Sequence, residues 1–369
     1  MQRWDVAVIG GGIVGASIAF ELAAEKLQVV LFDRQSPGQE ASWAAAGMLS
    51  PAPDGLPAIP LVPLAKESLR LYPDFVARVE RASQESSGFE QLGALHLFPG
   101  KNAEAARDEI VAQYRRLGLS IEPLSIKEAR KKESSIGGAI GAAAWNPGEA
   151  RIDPRLFTQA VIAAAEKSGA QIRPDAPVTK ILIEENICTG IVAGGEEIRA
   201  NQVVLAAGAF SAQILAAQAY YAPTRPVRGQ MLALRHRRLQ LRHVLRSDRG
   251  YLVPREDGRI IAGSTLEDAG FEKRVTPEGK RAILSAAAEM VPELERAEIV
   301  EAWSGLRPGT PDELPILGPT DVKGLFIATG HYRNGILLAP VTAKLLRAWI
   351  LVGKVSFDAA IFSPLRFAR

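Results

Sequence analysis

The sequence predicts a two-domain α/β fold, in which a parallel sheet flanked by helices is joined to a second, mainly antiparallel sheet. A glycine-rich turn between an apolar strand and a helix predicts the parallel sheet, as do further short apolar runs of the kind that are buried on both faces. Short alternating strands within residues 226–263 predict the antiparallel sheet. The chain has 369 residues, more than one hydrophobic core usually serves, so two domains are expected.

The composition is that of an ordinary globular protein. Apolar residues make up 47% and charged residues 23%, which excludes general disorder. The net charge is only +3, and it gives no electrostatic footprint for nucleic acid. The single cysteine, Cys188, can form neither an internal disulfide nor a thiolate cluster, and the four histidines lack metal-ligand spacing. No metal is predicted, and a reducing compartment, the cytoplasm, is the expected location.

The apolar run at residues 6–20 superficially looks like a secretory signal. It contains three consecutive glycines, however, and the acidic residue Asp5 stands just before it. The run also passes into a charged amphipathic segment before it reaches the length of a membrane span. We therefore interpret it as part of the fold, and no integral membrane segment is predicted.

The first predicted strand, residues 6–9, is a continuous apolar run that leads directly into a G-x-G-x-x-G motif. Its glycines are Gly10, Gly12 and Gly15, and a helix is predicted over residues 13–26. The first glycine permits a tight turn, the second lets a pyrophosphate approach the backbone, and the third lets the helix pack closely on the strand. Because a helix N-terminus attracts phosphates, this motif predicts a dinucleotide site.

A second apolar run, residues 29–32, ends in Asp33. An acid roughly 20 residues after the glycines typically hydrogen-bonds the adenosine ribose. Its carboxylate would repel the 2′-phosphate of NADP, although Arg34 follows directly. FAD and NAD both remain compatible with these residues.

The rest of the chain alternates between helical and strand-like patterns. Small residues at 41–48 permit either close helix packing or a second cofactor contact, and an irregular loop is predicted from Pro51, Pro53, Pro57, Pro60 and Pro63. Further predicted elements are helices at 65–84, 103–117, 156–165, 209 onward and 336–351, and strands at 92–98, 203–208, 325–330 and, as two runs, within 172–192. Cys188 lies in the second of those two runs and is interpreted as a core residue.

Four segments together resemble those of bacterial glycine oxidases, within the flavin-dependent D-amino acid oxidase family. They are residues 8–15, 44–49, 305–310 and 330–340, in the same order and at similar spacings over nearly the whole chain. The resemblance implies a fold of the D-amino acid oxidase type, with a substrate-binding domain inserted into a discontinuous FAD-binding domain. The implied boundaries give 1–83, 151–218 and 303–369 to the FAD-binding domain and 84–150 and 219–302 to the substrate-binding domain.

The resemblance also implies FAD that is bound without a covalent link. Carried over residue by residue, its contacts fall on Gly10, Gly12, Ile13, Val14, Gly15, Asp33, Arg34, Ala41, Ser42, Ala46, Gly47, Met48, Val178, Gly208, Gly330, His331, Tyr332, Arg333, Asn334, Gly335, Ile336 and Leu337. A helix that begins near Gly335 would direct its positive N-terminus at the flavin ring.

For the substrate, the resemblance implies that Arg307 and Tyr251 hold a carboxylate, with Arg333 near the flavin. A planar guanidinium and a phenol are suited to this, because they donate several directed hydrogen bonds to one carboxylate. Other readings stay open: Arg307 could brace the loop in which it is expected to lie, Tyr251 could be an ordinary strand aromatic, and Arg333 could pair with an acid. His331 is expected to contribute its backbone rather than its imidazole.

The implied activity is oxidative deamination of glycine, and also of sarcosine and small D-amino acids, by hydride transfer from the α-carbon to flavin. The products would be glyoxylate, ammonia and, with oxygen as the acceptor, hydrogen peroxide. The resemblance further implies a role in thiamine thiazole biosynthesis and a homo-oligomer, a tetramer or a dimer.

Two other functions remain open at this point: a D-amino acid or N-methyl amino acid dehydrogenase that passes electrons to a quinone or another carrier, and a flavoprotein without catalysis. The chain also departs from the glycine oxidase pattern near the expected active site. Leu266 and Arg249 stand where methionine and histidine are expected, and Asp33 replaces a glutamate.

Overall fold

The computed structural model of the protein describes residues 3–52, 56–216 and 222–367. The described strands form two eight-stranded sheets and one two-stranded ribbon. Numbered in chain order, they are β1 (Arg3–Ile9), β2 (Val29–Phe32), β3 (Met48–Leu49), β4 (Ala94–Pro99), β5 (Glu122–Leu124), β6 (Ile140–Asn146), β7 (Ala150–Arg151), β8 (Gln171–Arg173), β9 (Val178–Glu184), β10 (Ile187–Ala193), β11 (Glu196–Leu205), β12 (Arg225–Arg235), β13 (Val244–Arg246), β14 (Tyr251–Pro254), β15 (Ile260–Gly263), β16 (Glu298–Gly309), β17 (Ile316–Pro319) and β18 (Leu325–Thr329). The α-helices are α1 (Ile13–Ala24), α2 (Ala41–Ala44), α3 (Val62–Ser83), α4 (Ala103–Arg116), α5 (Ile126–Lys132), α6 (Pro154–Lys167), α7 (Ser211–Ala216), α8 (Pro277–Met290) and α9 (Gly335–Val352).

The first sheet has the order β17-β18-β11-β1-β2-β8, with β10 and then β9 added beside β11. Its central pairs, from β18 to β8, are parallel. Val6 and Val8 of β1 join a core formed with α1, α3, α6 and α9, whereas Ala7 and Ile9 face a second core that includes β9 and β10. Because both faces are covered, the central runs of these strands, residues 6–9, 29–32, 203–205 and 325–328, are apolar, as the sequence indicated.

The second sheet has the order β16-β12-β15-β14-β13-β4-β6-β5. All its pairs are antiparallel except β13 with β4. Leu232 and Leu234 of β12 pack on Ile283 and Met290 of α8 and close one face of this sheet. The predicted fold class, a parallel-sheet domain joined to a largely antiparallel one, is confirmed.

Two of the implied domain boundaries can be compared with the strands and with the range of described residues. Strand β16 runs without a break from Glu298 to Gly309 inside the second sheet, so a boundary between residues 302 and 303 would divide one strand. The boundary between residues 218 and 219 lies outside the described residues.

The prediction that Arg307 lies in a loop is wrong. Arg307 belongs to β16 and pairs with Val227 of β12. The neighbouring Pro308 suggested a loop, but β16 is an edge strand, where proline is tolerated because one side of the strand needs no partner.

The proline-rich segment also has more regular structure than predicted. Residues Leu56–Leu61 form a 3-10 helix, and α3 begins at Val62 with Pro63 in its first turn. A first-turn N–H has no intrahelical acceptor, so proline costs no hydrogen bond there. Pro53 lies outside the described residues.

By length and composition alone, one described helix, α9, could cross a membrane. More than half of this helix is buried, and its apolar side chains pack in the core beside α1 and α3. This is the position of a core helix, and it brings the N-terminus of α9 to the edge of the first sheet.

Candidate active site

A cavity of about 350 Å³ lies where the carboxyl ends of the parallel strands meet the second sheet. The first sheet contributes the residues that follow β1, β2, β11 and β18, and the second contributes side chains from β12, β13, β14 and β16. Ligands of open α/β sheets typically bind at such carboxyl ends. The cavity therefore combines a nucleotide-binding edge with a wall from the antiparallel sheet.

The turn after β1 requires glycine. Gly10 has a φ of +104°, and a Cβ on this residue would lie 2.5 Å from the carbonyl oxygen of Ala206. A Cβ on Gly15 would lie closer than 3.0 Å to the carbonyl oxygen of Gly10. Ser42 accepts a hydrogen bond from the first helical N–H, that of Ile13, at 2.9 Å. The glycine turn therefore brings the N-terminus of α1 to the cavity without side chains of its own, and the Ser42 hydroxyl is the group that contacts its first N–H.

Asp33 lines the cavity at the end of β2. Its two carboxylate oxygens accept hydrogen bonds from the backbone N–H groups of Gly11, at 2.7 Å, and Gln35, at 3.0 Å. Burial raises the pKa of Asp33, and these hydrogen bonds act in the opposite direction. They also fix the carboxylate beside the glycine turn, where its predicted contact with a ribose would be made.

The segment after α2 is held from the second sheet. Trp303 Nε1 donates to the carbonyl oxygen of Ala44 at 3.1 Å, and Arg255 Nη2 donates to that of Ala46 at 2.6 Å. Burial lowers the pKa of Arg255 to about 10, so its guanidinium remains charged at neutral pH. Gly47 has a φ of +79° and leaves no room for a Cβ against Ile152. This part of the cavity wall is therefore held in place by the second sheet and by close packing at Gly47.

Another part of the cavity wall is formed by the segment between β18 and α9. The backbone N–H of Tyr332 donates to the carbonyl oxygen of Pro308 at 3.0 Å, which ties this segment to the end of β16. Helix α9 then begins at Gly335, and Asn334 gives it no side-chain cap. The first N–H groups of a helix have no intrahelical acceptor, and here they lie at the cavity together with a partial positive charge.

His331 also lines the cavity, but its imidazole is not a cation at neutral pH. Burial lowers the pKa of His331 to about 3. Its Nε2 lies 3.0 Å from Thr342 Oγ1, within hydrogen-bonding distance. A neutral, hydrogen-bonded histidine of such low basicity agrees with the expectation that His331 does not serve as a general base.

Arg307 and Tyr251 reach the cavity from the second sheet. The guanidinium of Arg307 donates to Ser264 Oγ at 2.8 Å and to the carbonyl oxygen of Thr265 at 3.2 Å. Both partners are neutral, so these contacts orient the positive charge without cancelling it. The hydroxyl of Tyr251 donates to Met231 Sδ at 3.3 Å, a weak acceptor that a better one could replace.

The structure brings almost all the predicted site residues to this one cavity. Arg333 and the other expected contacts, from Gly10 to Leu337, line it. Among the described residues, Gly15 and Gly330 do not, and each is instead a point of close packing. Leu266 and Arg249, expected near the active site, do not line it either: Leu266 is 60% exposed, and Arg249 contacts Glu289 and Ser285.

Sequence reasoning missed a charged group at the cavity, Arg246. Its guanidinium donates to Ser50 Oγ at 2.9 Å and to the hydroxyl of Tyr114 at 2.8 Å, and it lies 3.4 Å from the buried carboxylate of Glu149. Burial opposes ionisation of Glu149, but the charge of Arg246 and the contact with His96 outweigh it, so the pKa of Glu149 is lowered. Arg246 is the cross-strand partner of Tyr251, and strand pairing is the signal that could have revealed it.

A family model described as FAD dependent oxidoreductase (DAO) matches residues 5–349. The chain belongs to this family. It is 34% identical to a glycine oxidase of Geobacillus kaustophilus over 371 residues, which cover 99% of this chain and 97% of the relative. It superimposes on the crystal structure of glycine oxidase from that organism with a TM-score of 0.93, at 33% identity and 99% coverage of both chains. The chain is also 36% identical to the bifunctional protein ThiO/ThiG of Synechocystis sp., which it matches over 98% of its own length but only about half, 54%, of the relative's.

Members of this FAD-dependent oxidoreductase family use FAD, and the cavity fits it. The glycine turn leaves space at the N-terminus of α1, Asp33 stands beside that turn, and the N-terminus of α9, which has no cap from Asn334, also lies at the cavity. The phosphates would bind at Gly12 and Ile13, and the flavin end near α9 and Met48.

Proposed function

We propose that this FAD-dependent oxidoreductase oxidatively deaminates glycine, with sarcosine and small D-amino acids as further substrates. The observation that carries the proposal is the guanidinium of Arg307, which faces the FAD-binding cavity and, within the described part of the chain, donates to two neutral acceptors, Ser264 and Thr265. An oriented cation and a phenol, that of Tyr251, which line the same cavity, fit the carboxylate of a small amino acid. The similarity to glycine oxidases supports glycine as that amino acid.

When bound, FAD supplies the electron acceptor: the substrate C–N bond becomes C=N with loss of a hydride and a proton, and oxygen is then reduced to hydrogen peroxide. Water hydrolyses the imine to glyoxylate and ammonia. The residues of this chain bind and orient. Arg307 and Tyr251 hold the carboxylate, and the first N–H groups of α9 favour negative charge at their side of the cavity. His331, whose pKa burial lowers to about 3, is not assigned the role of base, and its imidazole instead lies at hydrogen-bonding distance from Thr342.

The same proposal includes oxygen as the acceptor, a cytoplasmic location, a homo-oligomer and a contribution to thiamine thiazole biosynthesis. The similarity to proteins named ThiO/ThiG supports the last of these. The two walls of the cavity support the division into an FAD-binding and a substrate-binding domain, and we assign the whole of β16, Glu298 to Gly309, to the substrate-binding domain.

The test is anaerobic mixing of the purified holoenzyme with glycine, sarcosine, D-alanine or D-proline, followed by admission of air. We expect glycine to bleach the oxidised flavin absorbance and air to restore it rapidly. Bleaching with slow recovery in air, but rapid recovery with a quinone, would instead indicate a dehydrogenase. If none of the four amines bleaches the flavin, the proposed substrate class is wrong.

A second expected result concerns the attachment of FAD. The one cysteine, Cys188, lies in β10, and burial raises its pKa to about 11, so it is a poor nucleophile at neutral pH. It is not part of the cavity lining in the described residues. Acid precipitation should therefore release the flavin into the supernatant. A yellow pellet that keeps its colour after washing would show a covalent link.

A further inference from the structure

The side chain of Arg307 crosses a neighbouring strand. Arg307 is on β16, and its hydrogen-bond partners Ser264 and Thr265 follow β15. Strand β12 lies between β16 and β15 in the sheet. The guanidinium therefore passes over the face of β12 before it reaches its partners.

Gly229 of β12 is the residue beneath this crossing. It is paired with Gly305, two residues before Arg307 on β16. A Cβ on Gly229 would lie closer than 3.0 Å to three guanidinium atoms of Arg307, namely Nη1, Nη2 and Cζ. Such distances are far inside van der Waals contact, so any side chain at residue 229 would occupy the place of the guanidinium.

The backbone at Gly229 does not itself require glycine. Its φ is outside the left-handed region, in contrast to Gly10 or Gly47. Glycine in a strand interior weakens the strand, and it often marks a place where another group approaches closely. Space for Arg307 is therefore the physical reason for glycine at this position.

We infer that Gly229 is a positioning residue of the active site, which together with Ser264 determines where the charge of Arg307 is presented to the substrate. This inference rests on the proposed function, in which Arg307 binds the substrate carboxylate. Gly229 and Ser264 both line the cavity beside Arg307. Their role is to give the guanidinium one fixed orientation rather than several.

Gly229→Ala should leave the fold intact, because the group that must move is the end of a flexible side chain. The guanidinium should shift, and a misplacement of about 1 Å can cost on the order of 100-fold in an enzyme reaction. We expect the KM for glycine, and the dissociation constant of acetate as a carboxylate probe, to rise about 10–100-fold. Acetate binding is read from the change in flavin absorbance of the holoenzyme, and bound FAD should be unchanged.

A double-mutant cycle with Arg307→Ala separates positioning from a general disturbance of the strand. If Gly229 acts through Arg307, Gly229→Ala should change acetate binding less than about threefold in the Arg307→Ala background. An equal factor in both backgrounds would overturn the inference, and so would unchanged KM and acetate binding in the single variant. Gly138→Ala is the matched control, because a Cβ there meets nothing within 4 Å.

Ser264→Ala tests the same inference without adding bulk. It removes the acceptor of Arg307 Nη2, and we expect acetate binding to weaken several-fold, again only when Arg307 is present. If Gly229→Ala does not fold, the Ser264→Ala variant decides: no change in its acetate binding would overturn the inference.

The failure of this inference can be distinguished from the failure of the proposed function. If Arg307→Ala itself leaves acetate binding unchanged, it is the proposed carboxylate role that fails. If Arg307→Ala weakens binding while Gly229→Ala and Ser264→Ala do not, only the positioning role fails.

Discussion

Arg307→Ala should raise the KM for glycine about 10²–10³-fold while the holoenzyme keeps its FAD. Truncating one partner of a buried, hydrogen-bonded charge pair costs about 2–5 kcal/mol, and each 1.4 kcal/mol corresponds to about tenfold in binding. Among the residues that the structure describes, Arg307 donates to the neutral Ser264 and Thr265, so the carboxylate would be its charged partner. Steady-state kinetics with glycine measure the KM, and the flavin absorbance of the purified variant measures the bound FAD.

Two further variants sharpen this prediction. Arg307→Lys keeps the charge but loses the planar fork of donors, so its KM should lie between those of the wild type and Arg307→Ala. Arg249→Ala removes an arginine of the same sheet region that contacts Glu289 outside the cavity, and its KM should not change. A KM near the wild-type value in Arg307→Ala would remove this residue from the substrate site.

The second large effect is expected for stability, in Arg246→Met. This change leaves the carboxylate of Glu149, only 2% exposed, without its nearest cation. Breaking a buried ion pair from one side costs about 3–5 kcal/mol, because the remaining charge is uncompensated. We expect the free energy of unfolding at pH 7, measured by urea denaturation with saturating FAD, to fall by about this amount.

The pH dependence of this loss follows from the direction of the pKa shift. In the wild type the pKa of Glu149 is lowered from its ordinary value of 4.5, so the ionised carboxylate stabilises the fold above that value and loses this contribution as the pH falls. In Arg246→Met, burial without the arginine should raise the pKa instead. The difference between the two proteins should therefore be largest at neutral pH and shrink towards pH 4.5. A double variant, Arg246→Met with Glu149→Gln, should recover part of the loss, and no recovery would contradict this explanation.

The nucleotide-binding part of the fold could be predicted from local sequence because local physics determines it. Residues 6–9 are apolar because β1 is covered on both faces, and Gly10 and Gly15 follow because turn and helix approach closely there. The second sheet was predicted only in outline. Its order depends on pairing between distant segments, such as β13 with β4 and β12 with β16, which periodicity does not specify.

The same distinction applies to the site. The resemblance alone placed Arg307 at the active site. Its strand was not predicted, because the neighbouring glycines and proline suggested a loop. The long pairing of β16 with β12 overrides that local preference. An isolated glycine within a strand pattern signals a close approach, and Gly229 shows this signal in its own sequence context. The group that approaches Gly229 is the side chain of Arg307, which lies 78 residues later in the chain. Local spacing could therefore not reveal it.

The hydrogen bond from Tyr332 to Pro308 has a consequence for how this active site can change. It fixes the backbone between β18 and α9, which we propose as a cofactor contact, to the end of β16, where Arg307 lies one residue before Pro308. An inserted or deleted residue in either segment would move both at once. We therefore expect substrate range to change through exchange of side chains around the cavity, with insertions and deletions placed outside these two segments.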